Sequence, residues 1–103
     1  MYYTYMLRCE DNSIYTGITT DLKRRLEEHR SKSIKCAKYT LTHSAMQFEA
    51  AWESNSRSLA SKLEYNLKKL TKLEKESIIK EEKNFKKILE EKLNCEEYKR
   101  IKL

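Results

Sequence analysis

Gly17 is the single glycine in a chain of 103 residues that contains no proline. Average usage would supply about 7% glycine and 5% proline, so the chain avoids flexible and kinked backbone everywhere else, and the one glycine it keeps marks a place where the backbone needs it. That place lies inside the stretch Tyr2 to His29. A short apolar strand, Ile14 to Gly17, must there hand over to a charged helix opening near Thr20 and Asp21. Glycine at such a junction permits positive φ, or lets another backbone or a phosphate come close.

The remaining residues bound what can be built around that junction. Hydrophobic residues make up 39% of the chain and charged residues 37%, which gives one domain with a modest core and a densely charged surface. The formal net charge is +6 and it is uneven. Between Leu22 and Ser44 there are seven Lys and Arg residues, among them Lys32, Lys35 and Lys38, against two acids, Glu27 and Glu28. Such a zone suits a polyanion, either nucleic acid or an anionic membrane surface, or it is a solvated lysine-rich loop. The three cysteines, Cys9, Cys36 and Cys95, have no Cys-x-x-Cys spacing and no matching histidine pair, as expected of reduced thiols in a cytoplasmic protein. No apolar run approaches the roughly 18 residues of a membrane span, and the first residues carry no charged-then-apolar signal segment. The expectation is a soluble, cytoplasmic protein with no membrane association.

In chain order, Tyr2 to Arg8 is aromatic and apolar enough for a strand, residues 10–13 have turn chemistry, and Ile14 to Gly17 returns as a hairpin. Thr20 or Asp21 can cap a helix ending near Arg30 with Leu22 and Leu26 toward the core. Arg25 and His29, four apart, project from one side of it. Residues 31–44 show no period and read as a basic loop. Met46, Phe48, Ala50 and Trp52 alternate with polar or small neighbours, the period of a half-buried strand. Asn55, Ser56 or Ser58 can cap a helix whose Leu59, Ala60, Leu63, Leu67 and Leu70 form one apolar stripe, with Glu64 at its edge. Thr71 to Glu74 reads as a capping box. A helix, a break around residues 81–84 and a second helix reaching past Cys95 should follow.

The order strand, strand, helix, strand, helix, helix predicts an α+β fold: a small three-stranded antiparallel sheet flanked by helices. Residues 1–79 form the domain in this reading, and residues 80–103 a C-terminal helical extension. That extension packs on the domain or self-associates through Phe85, Ile88 and Leu93.

Singly, the polar candidates have ordinary structural explanations. Tyr2 and Tyr3 read as sheet residues, Arg25 as a surface cation, His29 as a helix-terminal residue, and Glu64 as an exposed acid paired with Lys68. As an ordered set they are specific. Tyr3-Thr4-Tyr5, then Tyr15-Thr16-Gly17 about ten residues on, then Arg25 ten beyond Tyr15, resemble the GIY-YIG endonuclease superfamily. The continuation Ile18 to Leu22 with His29, then Ala37 to Thr40, Leu63-Glu64-Tyr65 and Lys68 to Leu70, is similar to its small stand-alone bacterial branch. That branch is related to the N-terminal nuclease domain of the excision-repair incision subunit. The resemblance covers Tyr2 to Ile79, roughly three quarters of the chain.

The resemblance implies a divalent-metal-dependent endonuclease that hydrolyses DNA phosphodiester bonds, structure-selective or weakly specific, in DNA repair or recombination. It implies that Tyr5 and Tyr15 are the two motif tyrosines, Gly17 the motif glycine, Arg25 the catalytic arginine and Glu64 the ligand of a Mg²⁺ or Mn²⁺ ion, with His29 in a proton relay. Lys32, Lys35, Lys38 and Tyr39, with Gly17, would contact the nucleic acid. The chain departs from many relatives in having Ile18 where they carry a lysine three after the motif tyrosine. A free phenol has a pKa near 10, so Tyr15 must be activated by another group as a proton acceptor. The alternative reading is a non-catalytic nucleic-acid-binding module on the same fold, and a third is a protein-interaction adaptor built on the C-terminal helices.

Overall fold

The computed structural model describes residues 1–31 and 45–103. In chain order the elements are β1 (Tyr2–Cys9), β2 (Ile14–Thr19), α1 (Leu22–Ser31), β3 (Ala45–Ser54), α2 (Arg57–Lys68), α3 (Lys72–Lys80), α4 (Lys83–Leu89), a 3-10 turn at Cys95–Glu97 and β4 (Lys99–Arg100). The fold is α+β, as expected. Among the described residues its antiparallel sheet has four strands, in the order β2-β1-β3-β4, where three were predicted.

Local chemistry explains where these elements begin. The hairpin turns through Asn12, which takes φ 69°, a left-handed conformation that asparagine tolerates better than most side chains. Asp21 starts α1: its carboxylate accepts from the Arg24 backbone N–H at 3.1 Å. Ser56 starts α2 by accepting from the Leu59 N–H at 3.1 Å. The capping box at Thr71 and Glu74 forms as read from the sequence.

β1 and β3 are the interior strands, and both sheet faces are covered. Met6, Ala50 and Trp52 pack against Leu63, Leu67, Ile78, Phe85 and Leu89 from α2, α3 and α4. Tyr5, Leu7 and Ala51 pack on the other face with Tyr15, Leu22, Leu26, Phe48 and Ile101. β3 is therefore not the half-buried strand its alternation suggested, because Ala51 is as buried as Ala50. A register shift between Met6 and Leu7 explains why Phe48 leaves the Trp52 face: Met6 pairs with Ala50 but Leu7 pairs with Phe48, skipping Glu49. A bulge of this kind moves every following side chain to the opposite face.

The C-terminal segment also departs from expectation. The helix after the break ends at Leu89, short of Cys95, and the chain returns as β4, pairing Arg100 with Trp52. Arg100 rewards this return. Its guanidinium donates to the carbonyls of Ile78 at 2.8 Å and Ile79 at 2.9 Å, which lie in the last turn of α3 where helical partners run out. Tyr98 reinforces it by donating to the Leu59 carbonyl at 2.7 Å. Phe85 stacks on Trp52 with centroids 5.1 Å apart, and Leu93 joins the same cluster. These two residues, considered above for self-association, are thus buried in the chain's own core. On the hairpin side, Arg8 grips both carboxylate oxygens of Glu76 at 2.6 Å and ties α3 to β1. No helix among the described residues is long and apolar enough to cross a membrane.

Candidate active site

Tyr5 stands at the middle of β1, an interior strand, and the two residues opposite it are small. Gly17 pairs with it on one side and Ala51 on the other. A Cβ placed on Gly17 would lie 2.5 Å from the Tyr5 phenol oxygen and 2.8 Å from the ring carbon that bears it. The glycine is therefore required by close approach, as expected, but what approaches is the Tyr5 phenol. Its φ is not positive, and β2 continues through it to Thr19, so it is no strand-to-helix hinge. It is buried, packed beneath Tyr5.

Above this space runs α1. Spacing by four brings Arg25 and His29 over the phenol. The Arg25 Nε donates to the Tyr5 oxygen at 3.2 Å, and His29 Nε2 lies 2.9 Å from the same oxygen. Burial pushes the His29 pKa down to about 4, helped by the neighbouring Arg25 cation and opposed by Glu28. The imidazole is thus neutral near pH 7, its Nε2 shares a hydrogen bond with the Tyr5 hydroxyl, and the phenol oxygen accepts from Arg25. Burial likewise pushes Tyr5 up to about 12; the Arg25 hydrogen bond and charge oppose this, and Tyr15 and Glu64 add to it. Tyr5 therefore keeps its proton at neutral pH. Its oxygen lies within hydrogen-bond reach of both Arg25 and His29. Glu28 completes the hold on Arg25, accepting from its Nη1 at 3.1 Å.

Tyr15 projects beside this triad, its ring centroid 5.3 Å from His29 and 6.2 Å from Tyr5. Glu64 reaches the same neighbourhood from α2. Its partner Lys68 links it to Tyr15: the ammonium is 3.5 Å from a Glu64 oxygen and 5.9 Å from the Tyr15 ring centroid. The phenol of Tyr15 from β2, the guanidinium of Arg25 and the imidazole of His29 from α1, and the Glu64 carboxylate from α2 share one side of the molecule.

Lys32, Lys35, Lys38 and Tyr39 lie outside the described residues. Two contributors were missed in the sequence. Glu28 had a usable signal, since an acid three residues after Arg25 on a helix faces it. Lys68 was visible as a partner of Glu64, but its position over the Tyr15 ring depends on how α2 docks against β2.

A divalent cation is implied by the resemblance, and the donor set bears on whether it fits. Among the described residues no group of three His, Cys, Asp or Glu side chains could enclose a metal. Glu64 offers a single hard carboxylate with 24% of its side chain exposed. This matches Mg²⁺ or Mn²⁺, which keep waters and take phosphate oxygens, and does not match an all-protein cage of the zinc type.

The GIY-YIG catalytic domain matches residues 1–88 of this chain. The chain therefore belongs to the GIY-YIG family, a nuclease family. Among its relatives, the UPF0213 protein FN1575 from Fusobacterium nucleatum is 48% identical over 89 residues, covering 86% of this chain and 87% of the relative. The UPF0213 protein YhbQ from Salmonella arizonae is 39% identical over 88 residues, covering 85% and 86%. The solution NMR structure of the UPF0213 protein BH0048 from Bacillus halodurans is 36% identical, covers 85% of this chain and 97% of that one, and has a TM-score of 0.49.

Proposed function

We propose that this protein is a divalent-metal-dependent endonuclease that hydrolyses DNA phosphodiester bonds, with structure-selective or weakly specific cleavage suited to repair or recombination. The observation that carries the reading is the meeting of Tyr5, Arg25 and His29 at one phenol oxygen, with Tyr15 and the Glu64–Lys68 pair beside them. A packing role alone does not explain a buried histidine and a buried tyrosine joined to an arginine that is itself held by an acid.

The residues divide the chemistry as follows. Arg25, fixed through Nε by Tyr5 and through Nη1 by Glu28, presents a preorganised cation to the phosphate as charge builds on its oxygens. Tyr15, acting as its phenolate, takes the proton of the attacking water and is left as the neutral phenol, and the Lys68 ammonium near its ring supplies the cation that Ile18 cannot. His29 stays neutral and holds Tyr5 and the Tyr15 ring in place. Glu64 would hold Mg²⁺ or Mn²⁺, which when bound neutralises phosphate charge and makes water more acidic. The basic segment after α1 contacts phosphates without reading bases.

The test is incubation of the purified chain with branched, nicked and plasmid DNA in Mg²⁺, in Mn²⁺ and in EDTA. Metal-dependent nicking is expected. Salt-sensitive binding with no turnover in either metal would point instead to a nucleic-acid-binding module.

A further inference from the structure

Next to Arg25 a cleft of about 370 Å³ opens at the end of β2, and Tyr2, Thr20, Arg24, Arg25, Glu28 and Arg57 line it. Its charge is one-sided: three guanidiniums face one carboxylate, and that carboxylate, Glu28, is already held by Arg25 at 3.1 Å. Arg24 comes from α1 and Arg57 from the first turn of α2, and neither guanidinium meets a carboxylate among the described residues. Arg24 and Arg57 come from distant parts of the chain to line one cleft, where both cations attract an anion. Thr20 adds a hydroxyl, and the half-exposed ring of Tyr2 adds a flat apolar surface suited to a sugar or base.

The position of this cleft identifies the anion. Arg57 and Glu64 are seven apart on α2, so they share a helix face and are separated by about 10 Å along its axis. That distance equals two to three nucleotides of a stacked strand at about 3.4 Å each. Arg25 belongs to both places, at the cleft wall and on the Tyr5 phenol. We propose that this cleft is a second phosphate subsite, in which Arg24 and Arg57 hold the backbone of the nucleic-acid strand two to three nucleotides from the bond that is cut. The proposal rests on the nuclease reading for the identity of that bond, and on the cleft alone for the anion.

Anisotropy of a fluorescein-labelled branched DNA, titrated in EDTA between about 50 and 200 mM salt, separates the two. Arg24→Ala and Arg57→Ala should each bind roughly 5- to 30-fold more weakly, with the slope of log K against log salt shallower by about one. Arg57→Lys should recover most of the loss, and Lys87→Ala, on the exposed side of α4, should bind as the wild type does. Both arginines are exposed, so thermal melts of these variants should match the wild type. Wild-type affinity and slope in both arginine variants would overturn the subsite and leave the nuclease reading standing. Equal losses in Lys87→Ala would overturn it as well, since only overall charge would then matter. Losses confined to the two arginines in a protein that cuts no DNA would support the subsite and remove the nuclease reading.

Discussion

The Tyr5 phenol oxygen lies 2.9 Å from Nε2 of His29, and neither residue is exposed to solvent. Because Arg25 donates to the same oxygen, removing that one atom takes a hydrogen bond from both side chains. Tyr5→Phe should therefore cost about 1–3 kcal/mol, the penalty of stranding buried polar groups. For a domain of this size each kcal/mol lowers Tm by about 4–8 °C, so the loss is readable in a calorimetric melt. A melt unchanged within 1 °C would mean that the phenol is not what satisfies them.

Stability should also depend on pH through His29. Its folded pKa of about 4 lies below the ordinary 6.5, so between these values the unfolded chain binds a proton that the folded chain refuses. The contribution is full above pH 6.5 and is lost as pH falls toward 4, amounting to about 3 kcal/mol. His29→Gln should flatten the wild-type slope in that window, measured by urea denaturation at half-unit intervals. Tyr5 works at the other end: held up to about 12 against 10, it contributes stability that is lost as pH rises from 10 to 12.

Gly17→Ala tests the space beneath the phenol. The added methyl meets the Tyr5 oxygen, and Tyr5 is packed between neighbours that cannot yield freely. Overpacking of this kind costs about 1–3 kcal/mol. Displacement of Arg25 and His29 with the ring should lower cleavage roughly 10- to 100-fold even at temperatures where the variant is folded. Full cleavage by a folded Gly17→Ala protein would count against the phenol as the positioning group.

Lys68→Met removes the ammonium near Tyr15 while keeping the aliphatic stem. Its exposed ion pair with Glu64 is worth less than about 1 kcal/mol, so folding should be nearly unaffected. Single-turnover cleavage should fall about 10- to 100-fold, with Lys68→Arg recovering most of it. An unchanged rate would return Tyr15 activation to another group.

Much of this arrangement was legible in the sequence, and what was not has physical causes. The hairpin, the Asp21 and Ser56 caps, the Thr71 box and the Leu63 to Leu67 stripe are local signals, and each formed where residue chemistry put it. Arg25 and His29 were readable as one helix face. β4 was not readable, since two residues have no period and are held by Arg100 reaching carbonyls some twenty positions away. The bulge that turns Phe48 over depends on pairing with β1, which alternation within one strand cannot reveal. Gly17 was singled out for close approach, but its Tyr5 neighbour could not be named, because the residue across the ladder is set by register and not by proximity in sequence. The Arg24 and Arg57 cleft escaped for the same reason: two exposed arginines 33 positions apart meet only once α1 and α2 have docked.

The decisive measurement is the cleavage of branched DNA by Glu64→Gln beside the wild type in Mg²⁺, with binding of the same DNA followed in EDTA. The amide keeps the shape of the side chain and removes its charge. Cleavage should fall by about 10³-fold or more, as expected when electrostatic stabilisation of the transition state is withdrawn, while affinity in EDTA stays within about twofold. Cleavage by Glu64→Gln at the wild-type rate would contradict the assignment of this carboxylate, and with it the active site drawn around Tyr5, Tyr15, Arg25 and His29.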